Sequence, residues 1–187
     1  MHVHLQTARL TLRRFTAADE DNLVSLNSDP EVMRYITGGR PIGRDEIRDG
    51  IIPFHLAAYD RHPGFGTWAA EDIGTGQFLG WFHLRPRRSD GAIDLGYRLR
   101  RSAWGNGYAT EGSRALIDKG FTGHAIDRIV AETMTVNLAS RRVLEKCGLT
   151  LVRTFPGHEP HDVDGADRGH VEYQLTRAGW ETARRPG

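Results

Sequence analysis

The chain holds one cysteine in 187 residues, Cys147, so no disulfide can close within it and a disulfide scaffold is excluded. Long apolar runs are missing too: nowhere do the roughly 20 consecutive hydrophobic residues of a membrane-spanning helix occur. The first residues, Met1 to Gln6, lack a basic start followed by an apolar stretch, and Arg13 and Arg14 interrupt the next segment, so no secretory leader is expected. There is no excess of either charge. Lys and Arg number 25 against 24 Asp and Glu, a formal net charge of +1, which argues against a nucleic-acid binder whose affinity would rest on surplus cations. A cytoplasmic protein with a small molecule or a local protein segment as partner, and neither membrane nor nucleic acid, is the expectation. Hydrophobic residues at 39% and charged residues at 26% exclude a disordered tail and fit one compact domain over 1–187. What the chain has in quantity is glycine, 22 residues against 8 prolines, and their placement matters.

Alternation of Leu10 and Leu12 with Thr11 and Arg13 predicts a first strand. Thr16 with Asp19 three residues on predicts a capped helix start, and Asp29-Pro30 starts a second helix that Gly38-Gly39 ends. Ile47, Ile51, Ile52, Leu56 and Tyr59 fall at helical spacing, with Pro53 expected to kink or split that helix. From Gly66 the period becomes that of strands: 66–71, 77–85 and 92–99 read as consecutive antiparallel strands joined by turns at Gly74-Thr75-Gly76 and Ser89-Asp90-Gly91. A helix over 109–120, a strand over 127–134, a helix over 138–147 ending at Gly148, and strands near 149–155 and 171–175 complete a mixed α/β pattern without repeats.

Gly105 and Gly107 lie between a predicted strand and a predicted helix, where a tight turn aims backbone N–H groups and the positive helix end at one point. That arrangement suits a phosphate. No Gly-x-x-x-x-Gly-Lys-Ser/Thr string exists, which argues against nucleoside triphosphate hydrolysis. A dinucleotide fold is disfavoured because the third glycine is replaced by Thr110 and the preceding strand alternates instead of running continuously apolar.

Trp104-Gly105-Asn106-Gly107-Tyr108-Ala109-Thr110-Glu111, preceded by Asp94-Leu95-Gly96-Tyr97 and followed by Asn137-Leu138-Ala139-Ser140 and its helix, resembles the GNAT N-acetyltransferase superfamily. Thr7 to Phe15 and Ser28 to Met33 resemble the opening of its RimJ/RimL-like branch, which acetylates ribosomal-protein N-termini. The resemblance implies an α+β acyl-CoA N-acyltransferase fold: a central mixed, mostly antiparallel sheet, with the N-terminal helices on one side and the cofactor-loop helix on the other. It implies acetyl-CoA as cosubstrate and no metal. Leu99, Arg100, Trp104, Gly105, Asn106, Gly107, Tyr108, Ala109 and Thr110 would hold the cofactor, with Asn137 and Ser140 near its thiol. Trp104 stands where the superfamily has a polar residue, so backbone N–H groups would carry the pyrophosphate. The acceptor would be a primary amine: a protein N-terminus by branch resemblance, or a polyamine, amino acid or aminoglycoside. A homodimer is frequent among such relatives, and a non-catalytic acyl-CoA sensor would keep the same loop.

Direct attack by a neutral amine needs a base, oxyanion donors and a proton for the thiolate. The resemblance assigns the thiolate proton to Ser140 and a cofactor contact to Asn137. Their spacing also fits a plain N-cap and third helical residue. For the amine base, Asp94 shares with Gly96 and Arg98 the strand face opposite Ile93, Leu95, Tyr97 and Leu99, and Glu132 and Glu71 are alternatives. Tyr108 and Tyr173 are expected to pack or line the acceptor side. His158, His161, Asp162, Asp164, Asp167 and His170 gather in one loop without zinc-motif spacing and read as a substrate rim. His2 and His4 read as terminus or strand lead-in, and Cys147 as a buried, inert thiol.

Overall fold

The computed structural model describes residues 2–87, 90–157 and 163–184. Eight strands form one sheet: β1 (Val3–Gln6), β2 (Leu10–Arg14), β3 (Gly66–Asp72), β4 (Phe78–Pro86), β5 (Ile93–Leu99), β6 (Arg128–Met134), β7 (Thr150–Phe155) and β8 (His170–Thr176). Their spatial order is β1-β2-β3-β4-β5-β6-β8-β7, antiparallel throughout except for β5 against β6.

The local chemistry is the expected one for most of the chain. Thr16 and Asp19 form a reciprocal capping box at the 3-10 turn Ala17–Asp19, from which α1 (Glu20–Asn27) continues. Asp29 accepts from the Glu31 N–H and Pro30 opens α2 (Pro30–Thr37), which Gly38 ends at φ +69°. The helix around Pro53 is interrupted in its hydrogen bonding but not broken: α3 (Arg44–Glu46), a π-helical turn (Ile47–Ile51) and α4 (Ile52–Arg61) follow one another with right-handed helical backbone at each junction, and the wider turn comes immediately before Pro53. The cofactor-loop helix is α5 (Tyr108–Gly123), and α6 (Leu138–Lys146) precedes Gly148, at φ +87°. Two elements go beyond the sequence pattern. His4 stacks on Trp68 at 3.9 Å, making the terminal lead-in the edge strand β1, and Thr176 caps a last helix, α7 (Arg177–Ala183).

Each face of the sheet has its own core. On one face Phe82, Leu84, Leu95 and Leu99 pack with Leu116, Ile117 and Phe121 of α5 and Leu144 of α6. On the other, Ala69 and Phe78 pack with Leu23 and Leu26 of α1, Val32 of α2 and Ile52 of α4. This two-sided arrangement is the one the sequence predicts. Only Ile93–Ile129 and Asp94–Val130 pair across the parallel β5–β6 junction. Beyond them the two strands part, and Gly96 to Leu99 face Glu132 to Met134 without a ladder.

Candidate active site

The loop after β5 is built around two left-handed glycines, Gly105 at φ +74° and Gly107 at φ +81°, a backbone region that costs a side-chain-bearing residue about 1–2 kcal/mol. From Gly105 to Thr110 the six backbone N–H groups have no hydrogen-bond partner among the described residues, and Glu111 is the first to bond, to the Gly107 carbonyl at 3.0 Å. Six free donors at a 16-residue helix start make an anion cradle. The Trp104 indole N–H donates to the Leu99 carbonyl at 2.9 Å, so this side chain fixes the end of β5. A groove of about 590 Å³ runs from Gly107 and Thr110 past Arg114 to Lys146, with Glu111 and Asp118 also in its wall.

Sequence reasoning missed the residue that supports this cradle. Arg9, in the β1–β2 turn, donates to the Asn106 carbonyl at 2.9 Å and pairs with Glu111 at 2.6 Å, while Thr7 also donates to Glu111. Glu111 therefore anchors the loop to the first hairpin. Its carboxyl lies below the ordinary range: burial works against ionisation, but the Thr7 and Arg9 hydrogen bonds outweigh it. Arg100 stacks over Phe78 and Arg101 lies 3.6 Å from Asp29, so both arginines stand beside the loop, on the α1–α2 side.

Asn137 caps α6 by accepting from the Ser140 N–H at 3.1 Å, which is the structural role its spacing allowed. Ser140 has a second partner. Its Oγ lies 3.0 Å from the Tyr97 hydroxyl, which also donates to the Ser140 carbonyl. Burial pushes the Tyr97 phenol well above its ordinary pKa, so it stays protonated. Strand alternation places Tyr97 on the apolar face with Ile93, Leu95 and Leu99; its hydroxyl is the polar end that the alternation does not reveal.

Asp94 lies on the opposite face, as expected, and brings with it a residue the sequence did not single out. His83 Nε2 is 2.8 Å from Asp94 Oδ2, and Arg85 approaches the same oxygen at 3.6 Å. Gly96 lies directly across from His83, and a Cβ there would meet the imidazole at 2.5 Å, so the glycine makes room for the ring. Burial holds His83 neutral against the pull of Asp94. Burial would also raise the Asp94 carboxyl, but His83 and Arg85 reverse it and keep it ionised. Alternation along β4, with Trp81, His83 and Arg85 on one face, was the available signal.

The remaining candidates are engaged elsewhere. Glu71 pairs with Arg13 at 2.6 Å, beside the buried Arg13–Asp19 pair. Glu132 pairs with Arg87 at 2.8 Å, and burial with the neighbouring Glu172 raises its carboxyl. Tyr108 donates to Asp72, and Tyr173 donates to Glu145 from the core. Asp164 pairs with Arg34 of α2; Asp167 lies in the 3-10 turn Ala166–Arg168 and His170 in β8, and His158, His161 and Asp162 lie outside the described residues. No cluster of three potential metal ligands forms among the described residues. Cys147 is buried, and burial raises its thiol to about 11.

The Acetyltransferase (GNAT) domain family matches residues 9–150. The chain belongs to the GNAT acetyltransferase family. FsC-acetyl coenzyme A-N(2)-transacetylase of Aspergillus fumigatus is 35% identical over 191 residues, spanning 97% of this chain and 80% of that protein. A GNAT-family acetyltransferase structure from Bacillus anthracis superposes with a TM-score of 0.78 at 23% identity, covering 95% of this chain and 99% of the other. RimL, a ribosomal α-N-protein acetyltransferase solved with coenzyme A, superposes at 0.76 with 18% identity over 94% and 98% of the two chains. These superpositions establish the fold. In this acetyltransferase Tyr97, with Ser140 against it, and the glycine loop lie on and after the part of β5 that runs past its two pairs with β6, and Asp94, with His83, lies on the opposite face of that strand.

Proposed function

We propose that this acetyltransferase moves an acetyl group from acetyl-CoA to the primary amine of a small molecule by direct attack in a ternary complex. The observation that carries the proposal is the sheet opening itself, flanked by a proton donor on one face and a proton acceptor on the other. The pyrophosphate would take the free N–H groups of Gly105 to Thr110, and the pantetheine arm would run along Gly96 to Leu99, where β5 has lost its partner. Neutral His83, oriented by ionised Asp94, removes a proton from the ammonium. The freed lone pair forms the N–C bond, the C–S bond breaks, and the departing sulfur takes a proton from Ser140, whose hydroxyl is held by Tyr97; the nitrogen sheds its second proton to water, which reprotonates Ser140, and His83 releases the first proton to solvent. Asn137, with its side-chain oxygen committed to the helix cap, keeps its amide N–H₂ for the cofactor.

The acetyl-CoA donor is supported by the 35% identity to FsC-acetyl coenzyme A-N(2)-transacetylase over nearly the whole chain, and the small-molecule acceptor is the part of the proposal put to the test. Free-thiol release from acetyl-CoA, followed across a panel of small amines and short peptides with free N-termini, tests it. Turnover of small amines supports the proposal. Turnover restricted to peptide N-termini would instead give the protein the RimJ/RimL-like role, and coenzyme A binding with no acceptor at all would make it an acyl-CoA sensor.

A further inference from the structure

The acceptor side of the sheet contains a cation without a counter-ion. Arg98 projects from β5 toward α1, where its Nη1 donates to the Asn27 side-chain oxygen, and it lies 5.2 Å from the Trp81 ring centroid. Its Nε is shut off from solvent and has no partner. No carboxylate pairs with it among the described residues. Asp94, the acid on the same strand face, is taken by His83 and Arg85, and Asp29 lies against Arg101. His55 of α4 feels Arg85, His83 and Arg98, and its Nδ1 is likewise buried and without a partner among the described residues. Burial alone, with no acid to counter it, pushes the Arg98 guanidinium down to about 10. A cleft of about 360 Å³ lies beyond Arg98, past the end of β5, between Ser25 and Leu26 of α1, Asp29 at the cap of α2, and Arg100, Arg101 and Ser102 after the strand.

A half-buried guanidinium satisfied only by an amide oxygen is costly, and an anion from outside the chain removes that cost. We propose that the acceptor amine also carries a carboxylate, and that Arg98 is the specificity-determining residue that binds it. The proposal rests on the acetyl-transfer reading above and narrows it to amino acids and similar amino-carboxylates. In the β4–β5 register His83 opposes Gly96 and Trp81 opposes Arg98, so the proton acceptor and the guanidinium occupy adjacent same-face rows, about 7 Å apart. One small molecule can reach both. A polyamine would bring positive charge to a cluster that already has too much.

Thiol release is measured with glycine, β-alanine and γ-aminobutyrate, each paired with its amide, and with spermidine. At least one acid should exceed its amide and spermidine by tenfold or more in kcat/KM. Arg98→Gln should reduce that preference to within twofold by raising the acceptor KM, with the acetyl-CoA KM unchanged; Arg98→Lys should retain part of it. Equal use of acids and amides, a preference for spermidine, or a rise in the acetyl-CoA KM alone overturns the assignment, the last giving Arg98 to the cofactor. Calorimetry of the coenzyme A-bound protein with the N-acetyl derivatives of each pair is independent of turnover. Tighter binding of the acids, lost in Arg98→Gln, upholds the anion site even where no amine is acetylated and the acetyl-transfer reading has failed; equal or absent binding overturns it.

Discussion

At the residue scale, the proposed reaction divides its proton chemistry between Ser140 and His83, on the two sides of one strand. Ser140→Ala leaves the Asn137 cap in place, because that cap uses the backbone N–H of residue 140. The expected outcome is a kcat about ten- to a hundredfold lower with an unchanged acetyl-CoA KM and melting temperature. Tyr97→Phe should give a smaller loss, since it removes only the partner of that hydroxyl. On the other side, His83→Gln should lower kcat by about a hundredfold or more. Because burial lowers the His83 pKa, the base is in its neutral form through the ordinary histidine range, and kcat/KM should fall only at more acidic pH. Asp94→Asn removes the group that favours the imidazolium, so the acidic limb should move to still lower pH while the rate drops. A pH profile that ignores both substitutions would remove His83 and Asp94 from the mechanism. The polar ends of Tyr97 and His83 were not legible as a site in the sequence, because each acquires its meaning from a residue more than ten positions away.

At the element scale, the cradle is a strand end, a glycine turn and a helix start, and all three were legible from Leu99 to Glu111. Gly107→Val forces a β-branched residue to φ +81°, against Arg9 at 3.5 Å from the new Cβ. Coenzyme A affinity measured by calorimetry should fall at least tenfold, in line with a strain of about 1–2 kcal/mol plus the misdirected N–H groups. Arg9→Ala tests the support from outside the loop. It removes the link from the first hairpin to Asn106 and Glu111, and the expected result is a several-fold higher acetyl-CoA KM with kcat nearly intact. An unchanged KM would show that the loop holds its shape alone. The sequence could propose Thr7-Ala8-Arg9 as a family resemblance but not its purpose, since 102 positions separate Arg9 from Glu111.

At the scale of the whole molecule, acid sensitivity arises from the groups that the two-sided core buries. His55 stacks on Phe15 beneath α4, and burial lowers its pKa to about 4; burial against Trp68 lowers that of His4 to about 3. Between these values and the unfolded value of 6.5 the unfolded chain binds the extra protons. Stability is therefore complete above about pH 6.5 and is lost as pH falls toward 4, by up to about 3 kcal/mol for His55 alone. Asp19, held below its ordinary value by Arg13 despite burial, adds a further loss below about pH 4. Denaturant titrations at pH 7 and pH 4.5 should show this drop, and His55→Leu should shrink it. A drop of the same size in the variant would place the acid-sensitive group elsewhere.

The sequence by itself determined the order of elements, the turn glycines, the helix caps and the glycine loop after β5, because each depends on residues within a few positions of one another. It also determined the family, through motifs that keep their order along the chain. Only the tertiary structure decided how the sheet opens, since the parallel β5–β6 junction joins segments separated by a whole helix and ends after two residue pairs. That opening set Tyr97 against Ser140 and His83 against Asp94, and it left Arg98 facing α1 without a counter-ion. Charge balance at a buried point is a sum over every element packed around it, and no stretch of sequence contains that sum.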